Sequence, residues 1–454
     1  MREASASSAP KGHRRPLTGG AAYMPTRAAP SDLDPSRRIL DDLFGSPSRR
    51  DFSVRFWTGE TEGPPDAPFT LVLAGPGALR SMLLPPTERS LGEAYVFGDC
   101  DVEGDLERAV ATVEPVLRGL WSPSGLARLA AELRRFPAER GERRRRAASS
   151  GPEGRAREGP SRRGKLHSRG RDASSVRYHY DLGNDFYALW LDPFMQYSCG
   201  YFPGGDESLE RGQEAKLELL CRKLLLEPGQ RLLDIGCGWG GFVRFAAERF
   251  GVRATGITLS EPQALFARER LAEEGLSGRC EIRVMDYRDL PEEERFDAIV
   301  SVGMVEHVGH RNLPEFFSAA FRHLRPGGLF LDQGIVTLDS TRPWLRRLRE
   351  RLFHRWTSFI ESHVFPDGEL VTAGERLAPA EAVGFETRDV TSLREHYAIT
   401  LRHWVRRLEA VREEAISMVG RPTYRVWRLY MAGSAHGFAS GRIGLVHELY
   451  RKPA

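Results

Sequence analysis

The sequence lacks several features that would place it in a class at once. No apolar run approaches the roughly 18 residues that a membrane-spanning helix needs. The first residues, MREASASSAPKGHRRP, contain no apolar core of a secretory signal, so no signal is predicted. The five cysteines are scattered and include no CxxC pair. An odd set of this kind predicts reduced thiols and a cytoplasmic protein, and no metal site is predicted.

An excess of positive charge is also lacking outside one segment. The formal net charge is +4, yet residues 134–171 hold fourteen Arg and Lys against four Glu, which leaves −6 for the remaining chain. Residues 137–175 therefore predict a flexible basic linker, or a polybasic tether that attracts anionic phospholipid head groups at about 1 kcal/mol per residue. No aromatic residue lies within 137–175 to stack on bases, so no nucleic acid partner is predicted.

Composition divides the chain into four parts. Residues 1–38, rich in Ser, Ala, Pro and Arg, predict a disordered N-terminus. Residues 39–136 predict a small accessory α+β domain, with strands at 52–57 and 69–74. The basic linker 137–175 follows, and residues 176–454 predict one α/β domain. Its predicted strands are 231–236, 252–258, 280–286, 296–303 and 328–335, and its predicted helices are 208–226, 240–250, 261–275 and 312–324.

The most informative stretch is RLLDIGCGWGG, residues 231–241. An apolar strand leads to Asp234 and then to a turn built on Gly236, Gly238 and Gly240, after which apolar residues recur at helical spacing. Glycines let a backbone approach a nucleotide closely because they have no Cβ. A dinucleotide site would place an acid about 20 residues further on. This chain has TLSEPQ there, which disfavours NAD and leaves an adenosine-type cofactor open.

Alternating strands and helices predict a doubly wound, mostly parallel sheet, with ligands bound at the carboxyl ends of its strands. The informative motifs GCGWGG, TLSEPQ, MDYRDL, EHVG and DQGI all fall at such ends. Together with VRYHYDLGNDFYALWLDPFMQYSCGYF and LRPGGLFL, they resemble the cyclopropane-fatty-acyl-phospholipid synthases and the related mycolic acid cyclopropane synthases. The similarity extends over about 176–454, and SLGEAYVFGDCDVEGDLE is similar to the small domain of the family.

This resemblance implies a class I S-adenosylmethionine-dependent methyltransferase that acts on a cis double bond of a phospholipid acyl chain. It also implies a peripheral membrane enzyme and a homodimer formed through the small domain. By position, the resemblance implies cofactor contacts for eleven residues. They are Tyr197, Ser198, Asp234, Gly236, Gly238, Gly240, Thr258, Leu259, Gln263, Asp286 and Tyr287.

The family holds a bicarbonate ion as catalytic base, and its site maps onto five positions. They are Cys199, Glu306, Gln333, Ile335 and Tyr397. Gln333 departs from the family, which has His there, so the amide can donate a hydrogen bond but cannot carry a positive charge. Ser434 stands where well-known members have Cys. Cys199 is interpreted as a pocket wall and not as a nucleophile.

Several residues keep two interpretations at this stage. Asp286 could cap a helix or contact the adenine edge, and the second is preferred. Glu306 could form a structural ion pair or orient protonated bicarbonate, and the second is preferred. Tyr397 could be core packing or a hydrogen-bond donor. Residues 342–360 predict a basic amphipathic helix, either packed on the domain or lying on anionic lipid as a lid.

The expected chemistry is attack of the double bond on the sulfonium methyl group, followed by loss of a proton and ring closure. Four aromatic residues are candidates to stabilise the intermediate cation. They are Tyr197, Tyr201, Phe202 and Trp239. Three alternatives stay open: a methylene- or methyl-branched acyl product, methylation of a soluble small molecule, and a membrane- or nucleic-acid-binding protein whose methyltransferase domain is degenerate.

Overall fold

A seven-stranded sheet positions the candidate site. The computed structural model describes residues 33–119, 123–137, 167–180, 182–339, 358–365 and 368–454. Within them, the strands of this sheet lie in the order β7-β6-β5-β8-β9-β11-β10. Its strands are β5 (Arg231–Ile235), β6 (Arg253–Thr258), β7 (Cys280–Val284), β8 (Phe296–Val302), β9 (Leu324–Thr337), β10 (Glu386–Ser392) and β11 (Ile443–Arg451). All neighbours pair in parallel except β11, which is antiparallel to both β9 and β10. The predicted mostly parallel α/β class is confirmed.

Helices cover both faces of this sheet. Those that precede β10 are α6 (Arg169–Tyr180), α7 (Asn184–Ala188), α8 (Leu209–Lys223), α9 (Gly241–Phe250), α10 (Glu261–Glu273), α11 (Val305–Val308), α12 (Leu313–His323), α13 (Phe359–His363) and α14 (Ala373–Ala382). Those that follow it are α15 (Arg394–Ala410), α16 (Arg412–Val419) and α17 (Arg421–Ala439). Successive strand residues point to opposite faces, so Leu232 packs in the core beside α9 while Leu233 packs in the core beside α12.

A smaller four-stranded sheet lies N-terminal to these elements, in the order β2-β1-β3-β4. Its strands are β1 (Ser53–Arg55), β2 (Thr61–Glu62), β3 (Phe69–Leu73) and β4 (Cys100–Gly104). The associated helices are α1 (Asp34–Phe44), α2 (Ala78–Leu83), α3 (Glu88–Val96), α4 (Leu106–Gly119) and α5 (Pro123–Leu133). Arg428 of α17 donates to the hydroxyl of Tyr95 and to the carbonyls of Val102 and Gly104, which attaches this sheet to the larger one.

Two segments predicted to be irregular contain helices near their ends. Helix α1 begins at Asp34, within the predicted disordered stretch 1–38, because Leu33, Ile39 and Leu40 bury apolar side chains. Helix α6 begins at Arg169, within the predicted linker 137–175. Most of the linker, most of the predicted N-terminal segment and most of the predicted helix 342–360 lie outside the described residues. Among the described residues, no helix has the length and apolar character to cross a bilayer.

Candidate functional site

A cavity that opens to solvent lies at the carboxyl ends of β5, β6 and β8. Ten of the eleven predicted cofactor residues line it. They are Tyr197, Ser198, Asp234, Gly236, Gly238, Thr258, Leu259, Gln263, Asp286 and Tyr287. The sequence interpretation missed other lining residues, among them Gln196, Met285, Arg288, Met304 and His307. The carboxyl ends of parallel strands meet at one edge of the sheet, which is why motifs so distant in sequence converge here.

The glycine turn forms the floor of this cavity. Gly236 and Gly238 have φ values of +85° and +54°, which residues with a Cβ rarely adopt. The N–H groups of Gly236 and Cys237 both donate to the carbonyl of Ile257, which fastens the turn to β6. Gly240 does not line the cavity. A Cβ on Gly240 would come within 2.9 Å of the Cβ of Ala267, so this glycine allows α9 to start against α10.

The tip of β6 supplies polar groups to the cavity wall. The Thr258 hydroxyl donates to Oε1 of Gln263 at 3.1 Å, and the N–H of Ser260 donates to the Thr258 hydroxyl at 3.2 Å. The Gln263 amide nitrogen lies 4.0 Å from the position that a Gly238 Cβ would take, beside the glycine turn. This wall therefore presents an amide group and a glycine backbone, which suit the hydroxyl groups and ring nitrogens of a nucleoside.

Asp286 caps the short 3₁₀ helix Tyr287–Asp289 and pairs with Arg288. One carboxylate oxygen accepts from the backbone N–H and Nε of Arg288, and the other accepts from Nη2 at 2.6 Å. Burial alone would raise the pKa of Asp286, but the Arg288 hydrogen bonds lower it, so the carboxylate is ionised. Asp286 thus caps the 3₁₀ helix and lines the cavity, and its contact with an adenine edge stays a prediction.

Lys216 is a buried cation behind the cavity that the sequence interpretation missed. Its ammonium group donates to Oε1 of Gln196 and, at 3.1 Å, to the hydroxyl of Ser198, and both of these side chains line the cavity. Burial lowers the pKa of Lys216 to about 8, while Asp192, Cys199 and Asp234 oppose the shift. Its helical spacing from Gly212 and Leu220 could have indicated its burial, because all three residues lie on the buried face of α8.

Glu306 lies on α11, beyond the end of β8. Its Oε1 accepts a hydrogen bond of 2.6 Å from the backbone N–H of Ile335 on β9. Its Oε2 is buried and has no hydrogen-bond partner among the described residues. Burial raises the pKa of Glu306, and the Ile335 N–H opposes that shift. A buried carboxylate oxygen without a partner is costly unless a ligand completes it.

Buried tyrosines lie close enough to this carboxylate for its charge to affect their pKa values. The hydroxyl of Tyr197 donates to that of Tyr430 at 3.4 Å, and the Tyr397 ring stacks on Phe438 with centroids 4.5 Å apart. Burial is the largest cause that raises the pKa values of Tyr180, Tyr397 and Tyr430, and the charge of Glu306 adds to each. These phenols stay protonated, so they can donate hydrogen bonds or face a cation.

Cys199 is buried beside this cluster. Its thiol donates to the carbonyl of Gly200 at 3.1 Å and, more weakly, to that of Leu393 at 3.8 Å. Burial raises the pKa of the thiol, so it is protonated and poorly nucleophilic at neutral pH. This environment agrees with the interpretation that Cys199 is not a nucleophile, and Cys199 is not among the residues that line the cavity.

The two remaining predicted base-site residues lie on β9. Gln333 and Ile335 are two positions apart, so their side chains share one face of the strand. Oε1 of Gln333 lies 2.7 Å from Nε2 of His447, a residue of β11 that the sequence interpretation missed. On the opposite face, Arg376 of α14 pairs with Asp332 at 2.7 Å and with Glu448 at 3.1 Å.

Of the four aromatic candidates, two line the cofactor cavity and two lie elsewhere. Tyr197 and Trp239 are lining residues, and the Trp239 indole N–H donates to Oδ1 of Asn184 at 2.8 Å. Tyr201 packs on His396 with centroids 4.8 Å apart, and Phe202 stacks on His403 with centroids 5.6 Å apart. Phe202 fills the space above Gly212 of α8, which is ordinary core packing.

Comparison with known proteins supports the same assignment of the fold. The family model described as mycolic acid cyclopropane synthetase matches residues 167–448. A probable fatty acid methyltransferase of Pseudomonas putida is 37% identical over 401 residues, which cover 88% of this chain and 91% of that protein. The cyclopropane-fatty-acyl-phospholipid synthase of Escherichia coli is 39% identical over 267 residues, covering 59% of this chain and 65% of that enzyme.

A solved structure is similar over the larger sheet. It is that of a mycolic acid cyclopropane synthase complexed with SAH and CTAB. It superposes with a TM-score of 0.57 at 35% identity, covering 62% of this chain and 98% of that one.

Proposed function

Because the chain belongs to the mycolic acid cyclopropane synthetase family, we propose that it transfers the methyl group of S-adenosylmethionine to the cis double bond of an unsaturated phospholipid acyl chain. The product would be a cyclopropane acyl chain. The chain is a methyltransferase by fold and family; the acceptor and the ring are the proposed part. One observation carries the proposal: Oε2 of Glu306 is buried and has no hydrogen-bond partner within the described part of the chain, close to protonated tyrosines at the edge of the cofactor cavity.

The described residues fit an adenosyl cofactor. Gly236 and Gly238 leave room for a ligand to approach the backbone, and Gln263 and Asp286 add an amide and a carboxylate to the wall. S-adenosylmethionine supplies an electrophilic methyl group on a sulfonium centre. Asp234 would favour this cation when ionised, while Lys216 fixes the lining side chains of Gln196 and Ser198.

The described residues also fit a small protonated anion such as bicarbonate. Oε2 of Glu306 can accept a hydrogen bond from a protonated oxygen, whereas the hydroxyl of Tyr397 can donate one. A bound bicarbonate would serve as the base that accepts a proton. Glu306 is held in place by the N–H of Ile335, so its role would be to orient the anion.

The aromatic cluster suits the charge that develops on the acyl chain. Tyr180 and Tyr197 lie with ring centroids 6.1 Å apart, and Trp239 lies 5.8 Å from Tyr180. Such faces stabilise a cation without reacting with it, and their bulk excludes water that would quench it. Glu306 and the tyrosines therefore divide the work between orienting a base and protecting a carbocation.

The test is to incubate the full chain with S-adenosylmethionine, bicarbonate and vesicles of an unsaturated phospholipid, and to analyse the acyl chains by mass spectrometry and proton NMR. The expected result is a gain of one CH₂ with high-field ring protons. Glu306→Gln serves as the matched inactive variant. Absence of any lipid product, with S-adenosylmethionine binding intact, would contradict the proposal and direct attention to soluble acceptors.

A second candidate keeps the methyl transfer and changes the product. The Pseudomonas putida relative, which is matched over 91% of its length, is named a probable fatty acid methyltransferase. If a hydride shifts from the methyl-bearing carbon to the neighbouring cationic carbon and a proton then leaves the new methyl group, the same mass gain appears as a methylene branch. Vinylidene protons in the NMR spectrum would identify this product.

Association with membranes is proposed from the sequence alone. Residues 134–171 carry a net charge of +10, which would attract vesicles that contain anionic lipid. Sedimentation with anionic but not zwitterionic vesicles, weakened by salt, is the expected result. A homodimer is likewise proposed, and sedimentation velocity would test it.

A further inference from the structure

Gln333 and His447 form a buried pair across two strands. They are register partners in the antiparallel pairing of β9 with β11, and Oε1 of Gln333 lies 2.7 Å from Nε2 of His447. Both residues are at most 1% exposed. A buried polar pair of this kind stabilises only when its donors and acceptors are matched, so the protonation of each atom can be worked out.

His447 is neutral in this environment. Burial, together with the charges of Lys223, Lys216 and Arg376, lowers its pKa to about 3 against the opposing charge of Asp389. A neutral imidazole has a single N–H. Nδ1 of His447 is buried and has no partner among the described residues, so a proton there would leave a buried N–H unsatisfied. The proton therefore belongs on Nε2, which donates to Oε1 of Gln333.

This hydrogen bond fixes the orientation of the Gln333 amide. With Oε1 turned toward His447, the NH₂ group is turned away from it. The side chain of Gln333 shares its strand face with Ile335, which packs against the cluster that contains Cys199 and Tyr397. The N–H of Ile335 in turn holds Glu306.

From this geometry we infer that His447 is a positioning residue for the base site: it turns the two N–H groups of Gln333 toward the anion that Glu306 orients. The inference rests on the proposed function. It also accounts for the departure from the family at position 333. The chain has an amide where the family has an imidazole, and an imidazole faces that amide from the neighbouring strand.

The test compares three substitutions with the wild type. His447→Leu removes the donor, His447→Gln retains one, and the exchange Gln333→His with His447→Gln reverses the pair. The measurements are kcat, the bicarbonate concentration for half-maximal rate, and the rise in melting temperature that bicarbonate produces with S-adenosylhomocysteine bound. The last measurement does not depend on turnover.

For His447→Leu we expect the half-maximal bicarbonate concentration to rise about tenfold, which corresponds to one hydrogen bond. The melting-temperature rise at a given bicarbonate concentration should shrink accordingly, while S-adenosylmethionine affinity stays unchanged. His447→Gln and the exchanged pair should recover both readouts to within about threefold. An unchanged bicarbonate dependence in His447→Leu, or equal losses in His447→Leu and His447→Gln, would overturn the inference. A wild-type enzyme that gives no lipid product would instead overturn the proposed function.

Discussion

The backbone N–H of Ile335 donates a 2.6 Å hydrogen bond to Oε1 of Glu306, and this contact joins the carboxyl end of β9 to helix α11. It uses one carboxylate oxygen and leaves the other buried. A main-chain donor cannot rotate as a side chain can, so this hydrogen bond restrains the direction of Oε2 as well. Strand β9 therefore holds Glu306 through its backbone.

Glu306→Gln is expected to lower kcat by about 10²- to 10³-fold, the loss that follows removal of one preorganised polar contact in an active site. Glu306 does not line the cofactor cavity, so affinity for S-adenosylmethionine should stay unchanged. Product formation on vesicles and titration calorimetry measure the two quantities. Glu294→Gln, which alters a carboxylate paired with Arg283 at 2.9 Å, is the control. Wild-type turnover in Glu306→Gln would exclude a catalytic role.

Gly236→Ala is expected to weaken S-adenosylmethionine binding by tenfold or more. The added Cβ would lie 3.0 Å from Cγ of Met304 at the cavity floor, at a φ of +85° that also strains the backbone by roughly 1–2 kcal/mol. Gly229→Ala is the matched control, because Gly229 has a φ of +82° and open space around the added Cβ.

Both variants should lose similar stability in urea unfolding, and only Gly236→Ala should lose binding by calorimetry. Equal affinity of Gly236→Ala and Gly229→Ala for S-adenosylmethionine would mean that the turn does not contact the cofactor.

The sequence predicted the parallel part of the fold well because its signals are local. The apolar strand, the glycine turn and the amphipathic helix of residues 231–250 are contiguous, and each has its own periodicity. Strands β10 and β11 were not predicted. The segment ETRDVTS of β10 has no fully buried residue, and β11 buries His447 together with Glu448, a residue type that is rarely buried.

The parts of the site that were missed depend on partners far away in the chain. Lys216 meets Gln196 across 20 positions, Arg376 meets Asp332 across 44, and His447 meets Gln333 across 114. A polar residue can be buried only when such a partner satisfies it, and a sequence pattern does not show which distant partner that is. Gly240 shows that a local motif can also predict too much. The motif predicted a cofactor contact, whereas the close approach of Ala267, a residue distant in sequence, gives Gly240 a packing role.

The affinity for S-adenosylmethionine is expected to rise about tenfold between about pH 6 and pH 8. Burial raises the pKa of the cavity residue Asp234 to about 7, and Lys216 opposes that shift. Above this pH the ionised carboxylate attracts the sulfonium cation. The loss of the Lys216 proton near pH 8 acts in the same direction. Calorimetry over this range should show the rise in wild type and a smaller one in Asp234→Asn.

The affinity for S-adenosylhomocysteine, which has no sulfonium charge, should depend less on pH in the wild type.

The free energy of unfolding should change with pH in the opposite direction. Because the folded-state pKa of Asp234 is raised above 3.8, its contribution is complete below about pH 4 and is lost as the pH rises through about 7. Equal pH profiles for the two ligands would exclude an electrostatic role for Asp234.

Arg376→Met is expected to lower the free energy of unfolding by about 3–5 kcal/mol, because it leaves the fully buried Asp332 and Glu448 without their shared cation. Burial raises the pKa of Glu448 to about 7, so the penalty should be largest above that pH and should shrink as the pH falls and the carboxyl takes up a proton. Urea unfolding at about pH 8 and pH 5 measures both effects.

Arg388→Met is the matched control, since the Arg388–Glu386 pair is about half exposed, at 48% and 49%, and such pairs contribute about 0–1 kcal/mol. Arg376 also contacts the back of the site. A Cβ on Gly334 would come within 2.5 Å of its Nη1 and 2.4 Å of Val305, the first residue of α11. The variant should therefore lose activity in proportion to the displacement of Glu306. Full activity in a destabilised Arg376→Met would show that the Ile335 hydrogen bond alone is enough to hold that carboxylate.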